Sequence, residues 1–273
     1  MNALNLTPPV GFDSLAQACA QARAHWPGLP AVAQACMESL GLAPAQLQAK
    51  MKLVDNDDLS AMLRFVQEVA QGMEALGITW PEGLEPAYHN RLHTADVLLT
   101  VTALLHGQQA TVQPAARPWV AACLAAAVAH DFGHPGGTNA QPFELESRSW
   151  QALAAHTPAL PQPWRGRIES LILHTDPLTV QANHLRVASQ AFDWTLPWCQ
   201  VLLNEADILV SASTRFGPGL SQALAQEWQR AGVAAHAVVA SPAGRVQFLR
   251  SVRFSSPAAR ALGLPEQVQQ QML

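Results

Sequence analysis

From Trp119 to Ala129 the chain runs through eleven consecutive apolar residues and then sets His130 and Asp131 side by side. The run is too short to span a bilayer and reads as a helix buried in a core. Burying a charged pair at the end of such a helix is costly unless something compensates it. A metal ion is the simplest partner for a histidine and an aspartate together.

Residues of metal-ligand type fall in three short segments. The first is Tyr88-His89-Asn90-Arg91-Leu92-His93. Its two histidines are four apart, a spacing that puts both on one face of a helix beginning near Tyr88. The second is His130-Asp131-Phe132-Gly133-His134, again with histidines four apart. The third is Asn204-Glu205-Ala206-Asp207, a polar turn inside an apolar helical stretch. One such pair is a weak signal; two pairs plus the His-Asp dipeptide are a strong one. A carboxylate beside a ligand histidine has two oxygens and can bridge two ions. Two neighbouring ions suit phosphoester hydrolysis, because they polarise phosphoryl oxygens and lower the pKa of a bound water.

The rest of the chain predicts an all-α protein. Alanine, leucine and glutamine dominate and tyrosine occurs once, a bias toward helix over strand. Leu59, Met62, Leu63, Val66, Val69 and Met73 recur at helical spacing over about 58–76, with Gly77 suited to the helix end. Further helical patterns cover about 165–174, 198–210, 220–233 and 243–254, with a short one from Pro257 to Leu262. Pro118 sits where a first-turn proline is tolerated. Residues 1–77 read as a helical region of the same domain, and residues 78–273 as its catalytic core.

The first two segments carry a family resemblance. Tyr88 to Val97 resembles the Y-H-N-x-x-H-A-x-D-V signature of class I cyclic-nucleotide phosphodiesterases, and His130 to Asn139 resembles their H-D-x-x-H-P-G-x-x-N. Leu173 to Asp176, Ala206 to Ile208 and the stretch 220–232, with Glu227 at the glutamate of E-F-x-x-Q-G, are weaker matches in the right order. The resemblance implies an HD-class helical fold and hydrolysis of the 3′ bond of a cyclic nucleotide such as cAMP or cGMP. It implies that His93, His130, Asp131 and Asp207 hold the tighter ion, usually zinc. Asp131 then bridges to a second ion, magnesium or manganese. His89 becomes the general acid, and His134 orders waters of the second ion. Asn139 and Thr175 support that shell, and Tyr88 lines the pocket.

The chain departs from the family in three places. The segment between Asn139 and Thr175 is short, and the glutamate that orients the acid histidine is expected from it, with Glu144 and Glu146 as candidates. The purine-reading glutamine has no clean match. Aligning Phe248 with the family's base-clamping aromatic puts Arg245 at the glutamine position, while Gln247 faces the other side of the helix. The C-terminal part is also short. These departures keep an HD-class phosphohydrolase of another phosphoester, and a catalytically inactive ligand-sensing relative, as alternatives.

Other features read as structural. Asp96 and Asp176 are expected to pair or cap. His25, His106, His156, His184 and His236 are isolated and expected at the surface. The eight tryptophans are expected as core and loop anchors rather than stacking platforms. Cys19, Cys36, Cys123 and Cys199 have no C-x-x-C spacing and read as buried free thiols in a reducing, cytoplasmic setting. The net charge of -4 argues against a nucleic-acid surface. The opening residues lack the basic and apolar segments of a secretory leader, and nothing predicts a membrane anchor or a protein partner.

Overall fold

The protein's structure, a computed structural model, describes residues 12–43, 57–81, 85–108 and 113–272. These residues form fourteen α-helices and no strand. They are α1 (Phe12–Ala24), α2 (Leu29–Ser39), α3 (Asp57–Thr79), α4 (Arg91–Gly107), α5 (Arg117–Ala129), α6 (Glu144–Ala152) and α7 (Gln162–Leu173). There follow α8 (Pro177–Val187), α9 (Leu196–Ala212), α10 (Gly217–Arg230), α11 (His236–Val239), α12 (Pro242–Ser251), α13 (Pro257–Ala261) and α14 (Leu264–Gln270). The all-α expectation therefore holds. Among the described residues no helix is long and apolar enough to cross a membrane.

Helix α4 is the axis of the fold. Every residue from His93 to Leu105 is buried, as expected of a helix that is apolar on all sides and surrounded by others. It packs against α1, α2, α5, α9 and α13. Helix α5 is buried continuously from Val120 to Ala129, and its alanines let α3, α4, α7 and α9 approach closely. The Thr100 hydroxyl of α4 donates to the Ala206 carbonyl of α9 at 2.9 Å. Helices from both sides of residue 77 share one continuous buried cluster, from Leu15 to Leu264.

Glu74 of α3 joins the N-terminal helices to the start of α4. Its carboxylate accepts the Leu29 backbone N–H at 2.8 Å, the Trp26 indole N–H at 3.2 Å and the Arg91 guanidinium at 2.7 Å. The Arg91 side chain runs across Gly77, where a Cβ would sit 2.3 Å from it. So Gly77 is a point of close approach rather than a helix end, and α3 continues to Thr79.

The sequence-based helix over Tyr88–His93 starts later than expected. Asn90 is extended and caps α4, accepting from the N–H groups of Leu92 and His93 at 2.9 and 3.2 Å. His89 therefore stands in the turn before the helix, and only His93 is on it. Helices α6, α8, α11 and α14 lie outside the stretches that the sequence pattern predicts. Of these, α8 had its start signal in Asp176-Pro177, whose aspartate accepts the Leu178 N–H at 2.9 Å.

Candidate active site

Three helices bring four ligand-type side chains to one point. His93 is on the first turn of α4, His130 and Asp131 follow the C-terminus of α5, and Asp207 is on α9. His93 Nε2 lies 3.3 Å from Asp131 Oδ2 and 3.0 Å from Asp207 Oδ1. His130 Nε2 lies 3.3 and 3.6 Å from the same two oxygens. The ligand atoms of His93, His130 and Asp207 are all within 4.8 Å of one another.

This donor set fits a cation. His130 Nδ1 sits 2.9 Å from the Ala127 carbonyl, so that nitrogen carries the proton and Nε2 presents its lone pair to the cluster. Yet His130 Nε2 and Asp131 Oδ2 are buried with no hydrogen-bond partner among the described residues. Two buried acceptors that converge without pairing share a partner that is neither of them. The electrostatics agree. Burial opposes a charge on His93, but the Asp131 and Asp207 carboxylates beside it outweigh burial and carry the imidazole up to about 9. Burial likewise opposes the charge on Asp207, while His130 and His93 hold it well below the usual carboxylate range. The two carboxylates thus draw positive charge to this point, which protons on the imidazoles or a metal ion can supply.

Beside it stands a second constellation, His89, Glu227 and His134. Glu227, on α10, accepts the backbone N–H of Tyr88 at 2.8 Å, the backbone N–H of His89 at 2.9 Å, and pairs with His89 Nδ1. Burial alone would raise this carboxylate, but these bonds, His89 foremost, lower it. The glutamate that pairs with His89 is thus Glu227, and neither Glu144 nor Glu146. Glu144 instead accepts the Ala140 N–H at 3.0 Å. The imidazole of His134 stacks on that of His89 with centroids 3.8 Å apart. His134 Nδ1 accepts the Gly136 N–H at 3.0 Å, which leaves its N–H on Nε2. Burial, then the neighbouring His89, push His134 down to about 4, so it is neutral.

A cavity of about 390 Å³ opens onto both constellations. Tyr88, His89, His130, Asp131, His134 and Asp207 line its floor. The Tyr88 hydroxyl is 2.7 Å from Ser211 Oγ. One side is polar, with Asn139, Glu146, Thr175 and Asp176. Here the Asn139 amide donates to Glu146 at 2.9 Å and its oxygen accepts the Leu145 N–H at 2.8 Å. Burial raises Glu146 despite those bonds. Asp176 also accepts the N–H of Phe143, which is left-handed at φ 63°. The other side is apolar, with Ile208, Leu224 and Trp228.

Two expected substrate contacts are not brought to this cavity. The Arg245 guanidinium donates to the carbonyls of Ser211 and Ser213 and to Gln271 Oε1, the last two at 2.9 Å. It is absorbed in tying α12 and α14 to the end of α9. Phe248 packs in a separate cluster with Leu249, Val252 and Val268. Gln247 is exposed. Among the described residues, the C-terminal part after Trp228 supplies none to the cavity wall. Trp228, by contrast, was counted among structural tryptophans, and it lines the wall. The aspartates behave as expected: Asp96 pairs with Arg23 and Asp176 caps α8. His184 does not, because it is 5% exposed and bonded to Ser255 Oγ at 2.8 Å. All four cysteines are free and buried.

Residues 88–159, about a quarter of the chain, match the family model described as 3′5′-cyclic nucleotide phosphodiesterase. The matched span holds Tyr88, His89, His93, His130, Asp131 and His134. Asp207 and Glu227 join them through the fold. No curated protein matches the chain.

Proposed function

We propose that this chain is a phosphodiesterase of the class I cyclic-nucleotide type, a reading supported by the family-model match over residues 88–159, and that it hydrolyses the 3′ phosphoester bond of a 3′,5′-cyclic nucleotide to give the 5′-nucleotide, with two divalent metal ions. The observation that carries this reading is the convergence of His93, His130, Asp131 and Asp207 beside a histidine whose Nδ1 is held by Glu227.

His93, His130, Asp131 and Asp207 would hold the tighter ion, zinc by its preference for imidazole with carboxylate. A second ion, magnesium or manganese, would be held through Asp131, with Glu146, Asn139 and Thr175 as its supporting residues. Bound there, the pair supplies charge neutralisation at the phosphoryl oxygens and an acidified water. The chain's own groups do the rest. With Nδ1 engaged by Glu227, the proton His89 can give is on Nε2, and it goes to the departing 3′ oxygen. Glu227 fixes the ring. Neutral His134 offers Nε2–H as a donor to water. Tyr88 closes the floor. The buried free thiols fit a cytoplasmic enzyme.

The test is a metal-supplemented panel of cyclic purine and pyrimidine nucleotides, linear dinucleotides and simple diesters, with products identified as 5′- or 3′-nucleotides. We expect metal-dependent release of the 5′-nucleotide from cyclic substrates. Turnover confined to linear or simple diesters would move the assignment to an HD-class phosphohydrolase. No turnover of any substrate, with ligand still bound, would mark a sensing relative.

A further inference from the structure

We infer that the indole N–H of Trp228 reads the substrate's base, donating a hydrogen bond to an acceptor on it. The inference rests on the cyclic-nucleotide reading above and adds which group of this chain meets the nucleoside end.

The apolar wall of the cavity contains Ile208, Leu224 and Trp228, with Leu178 at 72% exposure on the lining as well. Ile208 follows the metal-centre residue Asp207, so the wall begins beside the reacting phosphate. Leu224 and Trp228 are four apart on α10 and share a face. Because Glu227 is anchored by three bonds to Tyr88 and His89, the register of α10 is fixed, and with it the position of the next residue, Trp228.

Trp228 Nε1 is buried and has no hydrogen-bond partner among the described residues. Three other indoles have partners: Trp26 donates to Glu74 at 3.2 Å, Trp194 to Gln113 at 3.1 Å and Trp198 to the Ala191 carbonyl at 2.9 Å. Buried indole N–H groups find partners as a rule, because an orphaned donor keeps its full desolvation penalty. The unpaired indole of Trp228 belongs to a residue that lines the substrate cavity. An acceptor on the ligand is the partner it lacks.

The chemistry of that partner is constrained. An indole N–H only donates, whereas a glutamine amide both donates and accepts. Trp228 can meet a carbonyl oxygen or ring nitrogen, such as O6 or N7 of guanine or N7 of adenine, and offers nothing to an amino group. With Arg245 and Gln247 outside the cavity, the base is bound by apolar contact and one donor.

Trp228→Phe removes the donor and keeps an aromatic ring. For cyclic GMP and cyclic AMP, kcat/KM should fall by roughly tenfold or more, carried by KM, the worth of a buried hydrogen bond left unmade. On methyl p-nitrophenyl phosphate, a diester too small to reach past the metal centre, the variant should match wild type within about twofold. Equal losses on the nucleotides and the small diester would mean that the indole only supports the fold, and would overturn the inference. So would an unchanged KM for both nucleotides in a wild-type enzyme that turns them over. If wild type cleaves the small diester but neither nucleotide, the substrate reading itself fails, and this inference with it.

Discussion

Glu227 accepts three hydrogen bonds, and two of them come from the backbone N–H groups of Tyr88 and His89. The carboxylate therefore holds the peptide that carries His89, the proposed acid, as well as its ring, so the imidazole has little freedom to turn. This separates two effects that substitution can test. His89→Ala removes the proton donor and should lower turnover of a cyclic nucleotide by roughly 10²–10⁴-fold, the usual worth of a positioned acid. Glu227→Gln keeps one acceptor oxygen but loosens the hold on the ring and its peptide, and should cost roughly tenfold to a hundredfold by the same argument. Both losses should shrink on a diester that releases p-nitrophenolate, which leaves without a proton, and metal content should stay at the wild-type level. Equal losses on both substrates would remove His89 from the role of acid. Gly136 belongs to the same arrangement. It sits at φ 87°, and a Cβ there would come within 2.9 Å of the Glu227 side chain, so only glycine lets the loop donate to His134 while clearing the glutamate.

The start of α4 does at element scale what Glu227 does at residue scale. Asn90 accepts from two N–H groups inside the helix and donates to the carbonyls of Pro86 and Ala87 at 2.9 and 3.1 Å. One side chain thus joins the turn that carries His89 to the helix that carries His93. Asn90→Ala should lower stability by about 1–2 kcal/mol, the range of a lost N-cap, and should reduce kcat as well, because the two histidines lose their common brace. Asn90→Asp keeps the cap acceptor but not the donors, and should recover most of the stability and less of the rate. Denaturant titration beside steady-state kinetics decides it, and an Asn90→Ala protein as stable as wild type would end the argument. The same stretch illustrates what was legible in sequence. The residue types of Tyr88 to His93 announced the chemistry. Their four-residue spacing wrongly suggested one helix, because an asparagine able to cap lay between them and its capping role was not weighed. The role of Glu227 was out of reach: its partner is 138 positions away, and no local period records a tertiary pairing.

At the scale of the whole molecule, the misjudged residues are those whose surroundings only the fold assembles. Arg245 was assigned from one aromatic neighbour, but the C-terminal helices turn it into a tie on the end of α9. The buried run into His130-Asp131, in contrast, needed no tertiary knowledge, because its cost demands a partner wherever it lies. His184 and Glu205 are two more buried groups of the first kind. Glu205 of α9 accepts the N–H groups of Ser255 and Ser256, and His184 of α8 contacts Ser255 Oγ, so both fasten the segment leading into α13. Burial pushes Glu205 up to about 7 and, helped by Arg253, pushes His184 down to about 4. Their linkage to stability has opposite signs. Folded Glu205 keeps a proton that the unfolded chain releases, so its contribution is full below its ordinary pKa and is lost as pH rises to about 7. Folded His184 refuses a proton that the unfolded chain takes, so its contribution is full above its ordinary pKa and is lost as pH falls to about 4. Between about pH 4.5 and 6.5 the two slopes oppose each other, each at about 1.4 kcal/mol per pH unit at most. Glu205→Gln should leave the histidine slope bare, so that stability relative to wild type climbs with pH by up to about 3 kcal/mol before levelling above pH 7. His184→Asn should do the reverse, with stability relative to wild type falling as pH rises over the same interval. Denaturant midpoints of both variants and wild type across pH 4.5–8, at one fixed metal concentration, measure the differences directly. Parallel pH profiles for all three proteins would show that neither group titrates between the folded and unfolded states.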